Sequence, residues 1–554
     1  MKERYIEFID KAFSAYTDER IKEYLDRVES EGVTEHGFAR LASNLGFLIA
    51  HGRRLDKRAL FERMMDICCA KMPTAKKAGN EFTVREVMFC LFELEEAAAY
   101  PQERITAWRE AFRGLDPELA YSTLAYTPED VRHNWTLFLA LSEYARGKFG
   151  LDASDELIDI QLATQMRLID ENGMYLDPGN PMVYDLVPRG LFSFLIYMGY
   201  RGRFYEQIDS ALRRAALISL RMQSTTGELP YGGRSNQFMH NEAWLSMIFE
   251  FEARRYKNEG NAVLAARFKA AANAALTDID YWFSKNPMRH IKNRYPTELG
   301  IGCEGYAYFD KYMITSASFL YLAYLLADDE IEPSDAKLPN EVFSLPEHFH
   351  KTFLRAGDWF LEFDTAADMH YDCSGLGRVH KKGAPSAICL SVPCPAHSNY
   401  KLELEDAALA SLAVGVVKDG KPYFATGDDA KYTLTSSESG EDFASCSFDV
   451  ALDGCERISS SYKVCDGVDI IVRGDGEVSF MLPAFEFDGE QYAEITVSEN
   501  QLCVRYNGYI CRYTSDAQIY DSGESACNRN GRYRVFYTKA KNRLDININI
   551  EKEA

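Results

Sequence analysis

The chain has 554 residues, too many for one hydrophobic core, and its 46% hydrophobic and 26% charged residues are a globular balance that argues against disorder. Its 84 acidic against 62 basic residues give a net charge of −22. That field opposes nucleic acid and anionic membranes, and an anionic ligand can bind only at a local cluster of Arg, Lys and His.

The N-terminus, Met-Lys-Glu-Arg-Tyr-Ile-Glu-Phe, shows no apolar signal segment, so a cytoplasmic protein is expected. From residue 3 to about 354 the apolar period is helical. Tyr5, Ile6, Ile9, Phe13 and Tyr16 mark one stripe, and Phe38, Leu41, Leu45, Phe47 and Leu48 another. Further helices are expected near 82–98, 131–149, 155–169, 190–200, 204–222, 241–257, 261–284 and 312–327. The segment 204–222 is amphipathic, whereas Leu191 to Tyr200 and Met313 to Ala327 are apolar almost all round. Alternation of the two kinds implies an outer and an inner ring. Met313 to Ala327 is also the longest apolar stretch, too short and too rich in Ser, Thr and Ala to span a bilayer. The thirteen cysteines, including the adjacent Cys68 and Cys69, lack metal-ligand spacing and read as buried thiols.

Beyond residue 355 the pattern becomes that of strands. Leu544, Ile546, Ile548 and Ile550 alternate with Asp545, Asn547 and Asn549. Turn dipeptides recur at Asp419-Gly420, Asp466-Gly467, Asp475-Gly476 and Asn507-Gly508. The expected organisation is an (α/α) toroid of helical hairpins over 1–354, followed by an antiparallel β-sandwich over 355–554; the boundary falls in the polar, Pro-containing segment 329–346 or just after a helix that follows it.

Polar segments interrupt the helical part at regular intervals. The first is Arg132-His133-Asn134-Trp135. The second runs from Asn172 through Tyr175, Asp177, Pro178, Asn180 and Pro181 to Tyr184-Asp185. The third is Gly232-Gly233-Arg234-Ser235-Asn236-Gln237, followed by His240-Asn241-Glu242. Asn134, Tyr184 and Arg234 lie 50 residues apart, the length of one helical hairpin of about 50 residues, so all three return to the same end of the ring. A fourth segment holds His290 and Arg294, and close behind it come Glu304, Tyr306, Tyr308 and Asp310. Asn134, Tyr184, Arg234 and His290 are therefore expected to face one cavity, with His133, Tyr175, Asn236, Arg294, Glu304, Tyr306 and Tyr308 as further ligand contacts. Each has a structural alternative: Asn134 as a helix cap, Tyr175 and Tyr184 as packing aromatics, Arg234 as partner of a structural carboxylate, His240 and Glu242 as helix-start residues.

The order Asn-Trp, Gly-x-Tyr, Tyr, Gly-Arg over residues 132–242 resembles polysaccharide lyases with an (α/α) toroid and a β-sandwich, of the chondroitin-lyase-like and heparinase II/III-like kinds. The resemblance implies that Asn134 binds a uronate carboxylate, that Tyr184 is the catalytic tyrosine, and that Arg234 supports it. Where the chondroitin-lyase pattern has a histidine, this chain has Asp177-Pro178, so the base falls to His133, His240 or the tyrosine itself. It also implies that the Gly-rich segment Asp372 to His380 leans over the toroid mouth, with His380 at the substrate. The substrate class is a uronate-containing oligosaccharide cleaved by β-elimination, with no metal or organic cofactor.

Two alternatives stay open. A glycoside hydrolase of the glucuronidase type needs two carboxyl groups at the bond, and Asp185, Glu242, Glu304 and Asp310 are its candidates. A non-catalytic glycan-binding protein is the other. A homo-oligomer is compatible with the sequence.

Overall fold

The computed structural model describes residues 1–553 except Val131, Asn180, Asp335 and Glu456, so Asn180 of the second polar segment lies outside the described residues. In chain order the helices begin with α1 (Lys2–Ser14), α2 (Asp18–Glu31), α3 (Gly37–Ala50), α4 (Arg58–Lys71), α5 (Asn80–Glu96), α6 (Gln102–Glu110) and α7 (Pro117–Ala120). They continue with α8 (Trp135–Lys148), α9 (Asp155–Met166), α10 (Met182–Tyr197), α11 (Tyr205–Met222), α12 (Met239–Asn258), α13 (Ala262–Phe283) and α14 (Phe309–Leu326).

Their apolar patterns sort them into two layers. Helices α3, α5, α8, α10, α12 and α14 are buried on nearly every side. They touch in that order, and α14 closes onto α3, so they form a complete inner ring. Amphipathic helices pack outside it: α4 on α3, α9 on α8, α11 on α10 and α12, and α13 on α12. Each outer helix carries the chain back, so all six inner helices begin at the same end of the toroid. Among the described residues no helix is long and apolar enough to cross a membrane.

Of the two places the sequence offers for the boundary, the change from helix to strand falls at the segment 329–346, and among the described residues no α-helix follows it. The expected division at 354/355 falls inside a strand, because the helical elements end at Leu326 and the first strand begins at Glu341. Phe349, Phe353 and Leu354 mimic helical spacing, but the strand Lys351–Ala356 is buried on both faces and so lacks the alternation that marks a strand. The strands β1 (Glu341–Leu345), β2 (Lys351–Ala356), β3 (Trp359–Asp364) and β4 (Gly375–Lys381) form one antiparallel sheet in that order.

The second sheet holds β5 (Val414–Lys418), β6 (Lys421–Phe424), β7 (Ala430–Ser439), β8 (Ala444–Leu452), β9 (Ile458–Val464) and β10 (Val468–Phe487). It also holds β11 (Glu494–Val497), β12 (Gln501–Tyr506), β13 (Tyr509–Ser515), β14 (Ile519–Cys527) and β15 (Arg532–Lys552). Its main path runs β11-β12-β13-β15-β10-β9-β8-β7. The two sheets face each other, with the Phe363 ring 5.0 Å from that of Phe448 and, edge to face, 4.7 Å from that of Tyr462. Asp419-Gly420 and Asn507-Gly508 are two-residue hairpin turns whose residues all have positive φ, the twist-matching turn for such loops. Asp475-Gly476 is no hairpin: it bulges within β10.

The smaller sheet docks on the helical body through buried charge. Lys351 pairs with Glu362 at 3.3 Å and Asp364 at 3.0 Å, and its ammonium sits 3.4 Å over the ring of Tyr231. Gly377 is the closest approach: a Cβ there meets the Tyr231 hydroxyl at 2.2 Å and Pro393 at 2.5 Å. Gly377→Ala is therefore expected to cost about 1–3 kcal/mol by overpacking. A melting temperature equal to that of the wild type would show that the contact is not tight.

Candidate functional site

The N-terminal ends of the six inner helices surround a cavity of about 440 Å³. Aligned peptide dipoles give that end a positive potential, and Arg40, Lys77, Arg234 and Lys311 line it against only two acids, Glu35 and Glu81. A cation-rich cavity in a chain of net charge −22 is the local cluster that an anionic ligand requires. Phe82, Trp135, Phe138, Trp244, Tyr306 and Tyr312 supply aromatic walls.

Three of the four residues at the common spacing meet here: Asn134 before α8, Tyr184 in the first turn of α10, and Arg234 in the loop before α12. His240, in the first turn of α12, joins them. His290 does not; it lies behind the wall, its Nε2 2.8 Å from the carbonyl of Ala307 and its ring against Phe238 and Phe309. The connection from α13 to α14 is long and irregular, so at that point spacing no longer measures a helical hairpin.

Asp177, which stands where a histidine was expected, organises one side of the site. It is buried and accepts from Asn134 Nδ2 at 3.1 Å, and it is ion-paired with Arg234. Asn134 makes no side-chain cap on α8, so its side chain serves Asp177 instead. The Arg234 guanidinium also lies 4.4 Å over the ring of Tyr184 and donates to the carbonyl of Pro178 at 3.1 Å.

The Tyr184 hydroxyl is 3.1 Å from Ser235 Oγ, which is 2.8 Å from the hydroxyl of Tyr306. Ser235 has φ of +58°, a strained backbone for a non-glycine residue. Glu304 holds it there by accepting its N–H at 2.6 Å, and Arg529 of the β part fixes Glu304 at 2.8 and 3.1 Å. Pro188, inside α10, offers no N–H to the carbonyl of Tyr184 four residues earlier. Burial raises the Tyr184 hydroxyl above its ordinary range, opposed by Arg234 and Ser235. Burial, then Arg40 and His290, push His240 down to about 3, so its imidazole is neutral near pH 7. Its Nδ1 has no hydrogen-bond partner.

The remaining expected residues are elsewhere. Glu242 is buried in an ion cluster, 3.0 Å from Lys292 and accepting the N–H of Leu229 at 3.1 Å. The helix start it was expected to close is capped by Asn241, which accepts from Phe238 N–H. His133 is exposed outside the cavity, which removes it as a base within it. Tyr175 is a packing residue whose hydroxyl donates to Gln165 at 2.6 Å, and Asn236 donates to the carbonyl of Pro230. Arg294 pairs with Glu490 of the β part. Tyr308 lines a neighbouring groove, whereas Tyr306 does line the cavity.

His380 lies in β4, its Nδ1 2.7 Å from Ser224 Oγ, so the Gly-rich segment is a docked strand and not a loop over the mouth. The alternating Gly375-Leu-Gly-Arg-Val-His pattern is that of a strand buried against the helices. Of the hydrolase carboxylates, Asp185 pairs with Arg189, Asp310 with Arg20, Glu242 with Lys292 and Glu304 with Arg529, and none of the four lines the cavity.

Lys311, at the end of the polar segment that begins at Gly302, and two residues without a signal of that kind, His36 and Arg40, complete the opposite wall. A charged residue inside the apolar stretch Phe38 to Ala42 was the one available signal for Arg40.

No known family profile matches the sequence, and no curated protein does. Solved structures do match. A heparan sulfate lyase, HepC, of Pedobacter heparinus aligns with TM-score 0.50 at 9% identity, covering 93% of this chain and 75% of its own. A heparinase III aligns with TM-score 0.49 at 10% identity, covering 93% and 78%. A GH127 β-L-arabinofuranosidase from Geobacillus stearothermophilus aligns with TM-score 0.36 at 9% identity, covering 99% and 80%. At these identities the likeness is one of fold: the chain has the helical-toroid and β-sandwich architecture of heparinase-type polysaccharide lyases.

Proposed function

We propose that the protein is a carbohydrate-active enzyme that cleaves uronate-containing oligosaccharides by β-elimination. The observation that carries this reading is the pairing, in one cation-rich cavity, of a neutral imidazole, His240, with a protonated phenol, Tyr184. His240 takes the proton from the carbon beside the substrate carboxylate. The electron pair forms the new carbon–carbon double bond, the glycosidic C–O bond breaks, and Tyr184 gives its proton to the departing oxygen. The cations around the cavity stabilise the charge that develops on the carboxylate. An anion bound nearby favours the imidazolium form, so the substrate itself strengthens the base.

Hydrolysis has less support, because the four carboxylates expected for it do not line the cavity. Two other acids line it: Glu35 accepts the N–H of Gly37 at 2.6 Å, and Glu81 accepts the N–H of Thr123 at 3.1 Å through Oε1, while its Oε2 has no partner among the described residues. Product mass decides between the reactions. Elimination yields two products whose masses sum to the substrate and a chromophore at the new double bond; hydrolysis adds one water and no chromophore.

The pH profile gives a second check. A histidine depressed to about 3 is deprotonated throughout the neutral range, so kcat/KM should show no acidic limb near the ordinary histidine value of about 6.5. A limb at that value assigns the base to a group other than His240.

A further inference from the structure

The resemblance assigns the substrate carboxylate to Asn134, with Arg234 as a supporting arginine, yet both already serve an anion of the chain, the carboxylate of Asp177. The opposite wall holds the reverse situation. Arg40 and Arg85 share one carboxylate, Glu86, at 3.2 and 3.0 Å, and all three are at most 2% exposed. The other oxygen of Glu86 accepts from Ser318 at 2.8 Å. Two guanidinium groups against one carboxylate leave a net buried positive charge, and buried charge is ordinarily paired.

Arg85 Nε and Nη1 and Arg40 Nη2 are all buried with no partner among the described residues, and of the two arginines only Arg40 lines the cavity. Arg40 Nη1 lies 3.1 Å from His36 Nδ1 and donates to Thr315 Oγ1 at 2.6 Å, but Nη2 is buried with no partner among the described residues. Lys311 lines the same cavity and makes no ion pair among the described residues. The nearest acid, Glu35, is occupied by the Gly37 N–H and the Tyr24 hydroxyl, and burial raises it toward its neutral form. Arg40 lies in the first turn of α3, whose dipole also favours an anion there.

We infer that Arg40 Nη2 and Lys311 Nζ hold the carboxylate of a hexuronate residue, while Asn134 and Arg234 shape the cavity through Asp177. The inference rests on reading the cavity as a saccharide site. It places the carboxylate on the wall beside His240, where the abstracted proton is needed.

The test is calorimetric binding to the full-length protein of a glucuronate-terminated disaccharide and of its carboxyl-reduced counterpart, at equal ionic strength. The wild type should prefer the acid by about tenfold or more, the worth of a charge-assisted contact. Lys311→Met and Arg40→Met should each reduce that preference to about threefold or less. Asn134→Ala should weaken acid and neutral sugar alike. Lys311 is partly exposed, so its variant keeps the test valid if Arg40→Met fails to fold.

Acid preference that survives in Lys311→Met overturns the assignment. So does its loss in Asn134→Ala, or its absence from the wild type. Binding is read without turnover, so failure of the elimination reading leaves this result standing. Equal binding of acid and neutral sugar removes the carboxylate site even where elimination products form.

Discussion

Tyr184→Phe should lower kcat by about 10²–10⁴-fold, the usual worth of a positioned acid–base group, with KM little changed. The substitution keeps the ring under Arg234 and removes only the hydroxyl, which is 3.1 Å from Ser235 Oγ. Loss of that one hydrogen bond costs about 1 kcal/mol, so the melting temperature should shift only slightly. A large fall in kcat with an intact fold then reports chemistry and not packing. Glu242→Gln provides the contrast. Glu242 lies in the Lys292 cluster and outside the cavity, so its effect should appear in stability while turnover persists. A Tyr184→Phe enzyme that retains most of its kcat, beside a dead and well-folded Glu242→Gln enzyme, refutes elimination through Tyr184.

Much of this arrangement is legible in the sequence because helix geometry converts chain length into position. Tyr184 and Arg234 each follow the preceding site residue by one inner–outer hairpin, and the hairpins here are regular. The same reasoning fails at His290, where an irregular segment replaces the hairpin rhythm. The fully apolar segments around Leu191 and Met313 became the inner helices α10 and α14 for the reason their composition suggests: no face of either can tolerate water. Strand β2 was misread for a related reason. When both faces of an element are buried, the polar positions that distinguish period 2 from period 3.6 disappear.

The pairing of Arg40 with Lys311 on the opposite wall of the cavity was not legible. Arg40 and Lys311 come from the first and last inner helices, which meet only when the ring closes. No local spacing announces that contact. Polar residues also read as ligands when they are in fact internal partners. Tyr175, Asn236, Arg294 and Glu304 each bond to another part of the chain, because irregular segments at the end of a toroid carry many backbone groups that need partners. Asp177 shows the converse: its departure from the expected histidine marked a residue that ties Asn134 to Arg234.

The largest stability effect is expected at Lys292. Its ammonium is buried among Asp278, Glu242 and Glu228 at 2.8, 3.0 and 3.1 Å. Its own N–H donates to the carbonyl of Gln237, so the cluster underlies the loop that carries Arg234. Burial opposes ionisation of all three acids and Lys292 favours it; Glu242 and Asp278 are left raised and Glu228 lowered. Lys292→Met keeps most of the volume and removes the charge, leaving buried carboxylates without their main counter-ion. Breaking a buried pair in this way costs about 3–5 kcal/mol. The sign of its pH dependence identifies the cause. Without Lys292 the folded-state pKa values of Glu242 and Asp278, already raised above their unfolded values by burial, rise further. Stability is then fully present below the unfolded values and lost as pH rises through the folded ones. The deficit of the variant relative to wild type, measured from urea midpoints, should therefore be smaller at pH 5 than at pH 8. Adding Glu242→Gln to Lys292→Met should recover part of the deficit at pH 8 by removing one uncompensated charge. A deficit that is the same at both pH values, and unchanged by the second substitution, assigns the loss to packing alone.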